Sequence, residues 1–292
     1  MKKNSIIDLE AQRRKKIIIS KIEKIPPLPA AAHEVLSIVA ENPKDIRRLE
    51  QVIMHDPSLS LQLLKVANCA AYYPATKITT VQRAIVFLGF AEVRNIALSL
   101  SISSVFKGKR SKSGFDRQAF WEHSIGVAMI SRVIAGEIGL EDLDTYFTCG
   151  LLHDIGRLVM DFCFPDIWKE ILVNSQEEEE TPLLKIERAF GYPHNIIGAW
   201  LVKSWGLPEI YIKTIVSHHL PISHPHFNFD GAIVKLADCL CHDIGLGLMA
   251  PPFCNKYKIG SYLGLSKERL ELLEEHLHKI SELAEAITQG WL

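Results

Sequence analysis

Apolar residues recur every three to four positions along most of the chain, which is the spacing of one buried face of an α-helix. Ile46, Leu49, Val52 and Ile53, for example, share one such face. The alternation of β-branched and polar residues that is typical of a half-buried strand is nearly absent, and no such run ends at an Asn-Gly or Asp-Gly turn. The pattern therefore predicts an all-α fold.

Capping residues, prolines and glycines indicate where several helices begin and end. Asn42 before Pro43, and Asp56 before Pro57, are each predicted to be an N-cap followed by the first residue of a helix. Gly89 is expected to end a short helix that begins near residue 80, because glycine readily adopts the conformation that terminates a helix.

A basic, glycine-containing stretch at 107–118 is poor in apolar residues, and we interpret it as a loop between two packed helical lobes. In the second lobe, 143–163 is predicted to be one apolar helix and 266–289 one C-terminal helix packed on the body. The expected organisation is an N-terminal extension at 1–20, a helical lobe at 21–106, the linker at 107–118 and a second lobe at 119–292.

Composition narrows the classes of function. The chain has 292 residues, of which 48% are hydrophobic, and this is ordinary for a globular protein. A formal net charge of -1 gives no basic excess, so nucleic-acid binding is not predicted. No run of about 18 apolar residues is present, and the N-terminus lacks the apolar core of a secretory signal. We therefore expect a cytoplasmic protein without a membrane span.

The cysteines and the basic segments suggest no chemistry of their own. The six cysteines lie scattered without a CxxC pair, which is typical of reduced thiols in a cytosolic protein. Cys239 and Cys241 alone would make a poor zinc site. The basic segments 13–16 and 107–112 are more typical of solvated surfaces than of partner sites. The N-terminal extension could also be a linking or dimerising helix.

Histidine and aspartate residues recur in otherwise apolar segments of the second lobe. Imidazole and carboxylate groups are common ligands of first-row divalent metals, and a buried carboxylate is costly unless a counter-charge or metal meets it. The loop residues His224 and His226 are expected to be solvent-exposed, whereas His33, His55, His242, His276 and His278 are interpreted as structural or surface residues. The candidate metal ligands are His123, His153, Asp154, His194, His218, His219 and Asp238.

The order of these residues resembles the HD superfamily of metal-dependent phosphohydrolases. That pattern has a histidine in a helix (His123), an HD pair about thirty residues later (His153 and Asp154), and a final aspartate in an "AD" helix (Asp238). The resemblance implies a helical bundle with a metal site.

One branch of that superfamily, HD-GYP, uses additional histidines for a second metal, and His194, His218 and His219 match them. LLHDIGR is close to the LLHDIGK of that branch, with Arg157 in place of lysine. However, the glutamate that follows the HH pair and the downstream GYP motif are both missing here. The tripeptide at 191–193 precedes His194 and is taken as a coincidence, so cyclic di-GMP hydrolysis is not expected.

The more extensive resemblance, over roughly residues 20–240, is to the HDOD family, the HD-related output domains of bacterial signalling proteins. It implies an all-α fold and a role in signal transduction or gene regulation through protein contacts, without an established enzymatic activity. It is carried by IPPLPAAAHEVL, DPSLSLQLLKVANCAAYY and ITTVQRAIVFLG in the first lobe, and by FWEHSIGVA, GLLHDIGRLVM, FGYPHNIIGAWLVKSWGLPE and SHHLP in the second.

Three hypotheses about function remain open. The first is a regulatory output module that binds a protein partner of a signalling pathway. The second is a metal-dependent phosphohydrolase or phosphodiesterase, in which Asp154 bridges two metals that activate a water molecule and Arg157 holds an oxygen of a phosphate-containing ligand. The third is a scaffold whose histidines hold no metal. The expected cofactor is one or two divalent transition-metal ions, with Fe, Mn, Zn and Ni not distinguished.

Overall fold

The computed structural model describes residues 2–41, 45–107, 111–177, 183–248 and 254–289, and within these ranges it is helical without strands. The all-α prediction is therefore confirmed. The α-helices are α1 (Lys2–Ile22), α2 (Ala30–Glu41), α3 (Ile46–His55), α4 (Pro57–Ala67), α5 (Val81–Leu88), α6 (Phe90–Ser104), α7 (Arg117–Glu137), α8 (Leu143–Leu152), α9 (Ile155–Cys163), α10 (Pro165–Glu177), α11 (Leu183–Phe190), α12 (His194–Ser204), α13 (Glu209–Ser217), α14 (Phe229–Asp243), α15 (Lys256–Tyr262), α16 (Lys267–His276) and α17 (His278–Thr288).

The first lobe contains α2 to α6, with α2, α4 and α5 packed on α6. Asp56 lies between α3 and α4 and accepts a hydrogen bond from the backbone N–H of Leu59, as expected of an N-cap before Pro57. The predicted cap at Asn42 and Pro43 lies outside the described residues. Helix α3 is instead capped by Asp45, whose carboxylate accepts from the N–H of Arg48.

Helices α5 and α6 meet at Gly89, whose φ of 86° lies in the left-handed region that glycine tolerates best. Among the described residues, no single helix is long and apolar enough to cross a membrane. Only α5 and α6 taken together reach that length and composition, and they do so across a 120° bend. Helix α6 is buried along most of its length, as expected of a core helix of the first lobe.

The second lobe is organised around α7, which contacts α8, α14 and α17, while α12 contacts α9 and α13. Glycines allow two of these helix pairs to approach closely. A Cβ added at Gly150 would lie 2.6 Å from the Cα of Ala128, and one at Gly156 would lie 2.0 Å from the carbonyl oxygen of His194. The second contact joins α9 to α12, the two helices that begin at candidate metal ligands.

Two helices that the periodicity predicts as continuous are broken in the structure. The segment 143–163 forms α8 and α9, separated by a turn at His153 and Asp154. The segment 266–289 forms α16 and α17, separated at Leu277. Apolar spacing does not detect the first break, because the residues on both sides of the turn are buried and keep the same spacing.

The two lobes share an interface, since α6 contacts α8 and the 3₁₀-helix Ala70–Tyr72 contacts α17. The Arg94 guanidinium on α6 is buried there and pairs with the Asp144 carboxylate on α8. In the segment between the lobes, Asp116 caps α7. The boundary at 107–118 stays a prediction.

The N-terminal helix lies on the second lobe rather than on the first. Helix α1 contacts α9 and α12, and its Ile18 and Ile22 are buried. The Arg14 guanidinium lies 5.7 Å from the ring centroid of Tyr192, and the Lys15 ammonium lies 5.6 Å from the ring centroid of Trp200. The basic segment therefore also takes part in holding α1 against the body of the protein.

The prediction of six reduced cysteines is wrong for one pair. Cys239 in α14 and Cys254 before α15 form a disulfide, with their Cα atoms 6.3 Å apart. Cys149 and Cys241 are buried thiols, as expected. Sequence spacing gave no indication of the pair, because Cys254 lies 15 residues after Cys239 and outside any motif that would join the two.

Candidate metal centre

The candidate ligands lie mainly at helix ends that converge in the second lobe. His153 follows the last residue of α8, and Asp154 is the N-cap of α9. His194 is the first residue of α12, and His218 follows the last residue of α13. Helices α7 and α14 contribute His123 and Asp238 from their interiors.

The carboxylate of Asp154 is at the centre of this arrangement. Its Oδ1 lies 2.9 Å from His194 Nε2 and 3.6 Å from His218 Nε2. Its Oδ2 lies 3.4 Å from His153 Nε2 and 4.0 Å from His123 Nε2. Each oxygen therefore faces two imidazole nitrogens, and all five residues are buried.

The same four imidazoles are oriented by acceptors on their outer sides. The Nδ1 of His123 lies 2.8 Å from the carbonyl oxygen of Leu246, and that of His153 lies 2.7 Å from the carbonyl oxygen of Gly150. An acceptor at Nδ1 fixes the orientation of the ring so that Nε2 faces Asp154, as the outer partners of metal-binding histidines do. The Nδ1 of His218 lies 2.7 Å from the carbonyl oxygen of Ile215, and that of His194 lies 2.5 Å from Glu187 Oε2.

The buried nitrogens that face the centre fit a metal ion. His153 Nε2 and His218 Nε2 are buried and have no hydrogen-bond partner among the described atoms. A buried polar atom without a partner carries a desolvation cost of about 1–3 kcal/mol, which a coordinated ion would remove. The donor set of neutral imidazoles and carboxylates suits first-row divalent metals.

The ligand atoms form overlapping sets, within each of which all atoms lie within 4.8 Å of one another. One set is His123, His153 and Asp154, and another is Asp154, His194, His218 and His219. Asp154 belongs to both sets. His219 joins the second set through its Nε2, which lies 3.1 Å from His194 Nε2.

Asp238 meets this centre through His123 rather than through His153. Its Oδ1 lies 3.4 Å from His123 Nε2 and 3.7 Å from His242 Nε2. The structure thus brings all seven predicted ligands into one region of the second lobe, although Asp238 groups with His123 and His242 in a third set.

Burial and neighbouring charges determine the protonation of the centre. Burial lowers the pKa of His153 to about 3, which keeps this ring neutral and able to bind a metal. Burial alone would raise the pKa of Asp154, but the Arg157 guanidinium and the surrounding imidazoles hold it well below its usual value. Burial opposes protonation of His194 too, yet the carboxylates of Glu187 and Asp154 raise its pKa to about 9.

Arg157 lies beside Asp154 in this structure. Its Nη1 lies 2.8 Å from Asp154 Oδ2, and the side chain is 9% exposed. The guanidinium therefore compensates the charge of the buried carboxylate. The predicted phosphate contact of Arg157 stays a prediction.

Two residues near the centre were missed from the sequence. Glu187 on α11 accepts hydrogen bonds from both the backbone N–H and Nδ1 of His194, but its sequence context is that of an ordinary amphipathic helix. His242 lies four residues after Asp238 on α14, and that spacing places both on one helix face and could have revealed it. His226 is exposed as predicted, whereas His224 is half-buried.

Comparisons with curated proteins relate the chain to uncharacterized relatives. A protein from Treponema pallidum (strain Nichols) is 25% identical over 204 residues, which make up 69% of this chain and 39% of that protein. YuxH from Bacillus subtilis (strain 168) is 35% identical over 127 residues, which make up 44% of this chain and 30% of YuxH. The chain thus spans less than half the length of these relatives.

Solved structures share the fold over nearly the whole chain. An HDOD domain protein of unknown function from Geobacter sulfurreducens has a TM-score of 0.75 at 24% identity, with 94% of this chain and 98% of that chain covered. A Shewanella amazonensis protein, a phosphohydrolase by inference, has a TM-score of 0.73 at 23% identity and coverages of 94% and 98%. A Marinobacter aquaeolei protein, with an inferred role in signal transduction, has a TM-score of 0.79 at 22% identity and coverages of 96% and 66%.

The model of the HDOD domain family matches residues 25–221, which extend from the start of the first lobe to just beyond the paired histidines His218 and His219. This range includes six of the seven predicted ligands, all except Asp238, and the turn that carries His153 and Asp154. Because the match covers more than half of the chain, the protein belongs to the HDOD family.

Proposed function

We propose that this protein is a regulatory output domain of a bacterial signalling pathway, with an HD-type His/Asp site that holds one or two divalent transition-metal ions. In this proposal it acts through a protein partner and does not hydrolyse cyclic di-GMP. Support comes from its family and from the inferred signalling role of the Marinobacter structure, which has the same fold. The proposal that cyclic di-GMP is not hydrolysed is supported by the sequence, because no glutamate follows His219 and no GYP motif lies downstream.

The observation that carries this proposal is the burial of the centre. Asp154 is 1% exposed, His153 is fully buried, and Arg157 is buried beside them. A nucleotide-sized substrate needs an open cleft beside the reacting groups, and catalytic pockets are normally concave and accessible. A centre enclosed on this scale is better suited to holding an ion that stabilises one arrangement of the surrounding helices.

The protein's own residues would hold the ion and fix its surroundings. His123, His153 and Asp238 would hold one ion, His194, His218 and His219 would hold a second, and Asp154 would contribute to both. A bound ion would supply Lewis acidity and positive charge. Glu187 and the backbone carbonyls hold the imidazoles in the orientation that binding requires.

One observation favours metal-dependent phosphohydrolysis as a second candidate function. Asp154 belongs to two ligand sets, and dinuclear sites with a shared carboxylate are common in enzymes that hydrolyse phosphate esters. The Shewanella structure, a phosphohydrolase by inference, has the same fold. In this alternative Arg157 would turn from Asp154 toward a phosphate oxygen.

Assays of turnover distinguish the two functions. Protein loaded with Mn²⁺ or Fe²⁺ would be incubated with generic phosphodiesters, nucleotides and cyclic di-GMP, beside an Asp154→Ala variant. The regulatory proposal predicts no metal-dependent turnover above that of the variant. Turnover that is lost in Asp154→Ala, and retained in the matched surface control Asp166→Ala, would favour the enzyme instead.

A further inference from the structure

His242 lies at the solvent side of the buried centre and has not been assigned a role. Its side chain is 13% exposed, compared with 5% for Asp238 and 1% for His123. Among the candidate ligands His123, Asp238 and His242, it is therefore His242 that contacts solvent most. Asp238 and His242 are four residues apart on α14, so their side chains lie on the same face of that helix.

The distances among these three residues fit one ion better than they fit direct hydrogen bonds. Asp238 Oδ1 lies 3.4 Å from His123 Nε2 and 3.7 Å from His242 Nε2, which are long for hydrogen bonds between such groups. Two ligands that each lie about 2.1 Å from a tetrahedral zinc ion are separated by about 3.4 Å. All three ligand atoms lie within 4.8 Å of one another.

The backbone beside His242 is shaped to hold the ring in this orientation. A Cβ built on Gly247 would lie 2.3 Å from His242 Nδ1, so any larger residue there would displace the imidazole. The same segment contributes Leu246, whose carbonyl oxygen orients His123. One short stretch of chain therefore positions two of the three candidate ligands.

We propose that His242 is a further metal ligand at the solvent edge of the centre, on the same ion that His123 Nε2 and Asp238 would hold, so that these three residues form a His-Asp-His cation subsite. This inference rests on the proposed metal-binding function and extends it. The subsite would take a borderline divalent ion such as Zn²⁺ or Co²⁺, since two imidazoles and one carboxylate suit these ions. An ion would reach the buried ligands from solvent through His242.

Metal binding by stripped protein tests this subsite. The affinity for Zn²⁺ would be measured by competition with a chelating dye, and the visible absorption of the Co²⁺ form would report the ligand set. The variants are His242→Ala, Gly247→Ala and Asp154→Ala, with the exposed His276→Ala on α16 as a matched control. Melting of the stripped proteins shows whether a substitution disturbs the fold itself.

We expect His242→Ala to weaken Zn²⁺ binding about 10- to 100-fold and to change the Co²⁺ spectrum, as loss of a ligand or its support does. Gly247→Ala, which keeps the imidazole but displaces it, should weaken binding in the same direction, and His276→Ala should bind as wild type does. If His242→Ala and Gly247→Ala both bind as wild type does while Asp154→Ala loses the ion, the subsite is refuted and the proposed function stands. If wild type binds neither ion, the proposed function fails together with the subsite.

Discussion

At the scale of single residues, the centre depends on the groups behind the imidazoles as much as on the imidazoles themselves. Three of the four Nδ1 acceptors are backbone carbonyls, which a substitution cannot remove. The fourth is Glu187, whose fully buried carboxylate also accepts from the backbone N–H of His194. Glu187 is therefore the one orienting group that mutation can test directly.

Glu187→Gln should lower metal affinity about tenfold, because the amide keeps the shape of the side chain but loses the charge that holds His194 Nδ1. The measurement is competition for Zn²⁺ with a chelator, and the exposed Glu170→Gln on α10 is the matched control. Equal affinities for the two variants would show that Glu187 does not support a ligand.

Metal binding should release protons near neutral pH, because bound ions must displace the protons that His123 and His194 hold in metal-free protein. The carboxylates of Glu187 and Asp154 raise the pKa of His194 to about 9 from 6.5, despite the opposing effect of burial. In metal-free protein this protonated ring contributes stability that is fully present below about pH 6.5 and lost as the pH rises through about 9. Calorimetry of metal binding in buffers with different ionisation enthalpies measures the release, and a heat that is independent of the buffer would contradict it.

The candidate ligands could be predicted from the sequence, but the residues that contact them could not. The resemblance indicated seven candidate ligands, and the structure brings their side chains into one region, because each is a histidine or aspartate within a recognisable motif. Glu187 belongs to a different helix from His194, and no local pattern joins them. His242 was interpreted as a structural or surface residue because it has no motif, although its spacing from Asp238 was visible.

At the scale of helices, the centre is formed where helix ends meet and where pairs of helices pack closely together. His153 and Asp154 occupy a break between α8 and α9, where two helix ends bring side chains and free backbone groups to one place. A continuous helix, as predicted, would have separated the two side chains by about 100° around its axis. Periodicity could not reveal this break, since it reports which face is buried and not where the backbone turns.

Gly156→Ala should destabilise the protein by about 2–4 kcal/mol, because the added Cβ would overlap the carbonyl of His194 and force α9 away from α12. Gly136→Ala on α7 is the control, since its Cβ would meet only Leu143 at an ordinary 3.8 Å. Alanine there should leave stability unchanged or raise it by up to about 1 kcal/mol. Urea unfolding of both variants measures the difference, and equal stabilities would contradict the close crossing.

Reducing the disulfide between Cys239 and Cys254 should lower the free energy of unfolding by about 3 kcal/mol, the value expected for a loop of this length. Urea unfolding with and without a thiol reductant measures the change. The variant Cys254→Ser should show the reduced stability under both conditions. A wild-type protein that unfolds identically with and without reductant would show that the pair is not bonded in solution.

At the scale of the whole molecule, two helical lobes meet in an interface that includes buried charge. Arg94 on α6 pairs with Asp144 on α8, the helix that is followed by His153. The proposed regulatory role requires a connection between the centre and the rest of the surface, and α8 joins the lobe interface directly to the centre. The N-terminal helix packs on α9 and α12, so these helices are in contact with both the centre and the extension.

The all-α class and the two lobes followed from apolar spacing and from family resemblance, because both are properties of long segments. The placement of α1 on the second lobe did not, since contacts between distant segments leave no local pattern. The same limit applies to the disulfide, which joins α14 to a segment that follows it.

The most direct test of the central claim is elemental analysis of metal in protein purified without added metal or a nickel column, beside Asp154→Ala. We predict about one or two divalent transition-metal ions per wild-type chain and none in the variant, because Asp154 is the carboxylate that both ligand sets share. If wild type contains no metal and does not bind added Mn²⁺, Fe²⁺ or Zn²⁺, the histidines and aspartates form a buried polar network instead, and the account of this centre as a metal site is wrong.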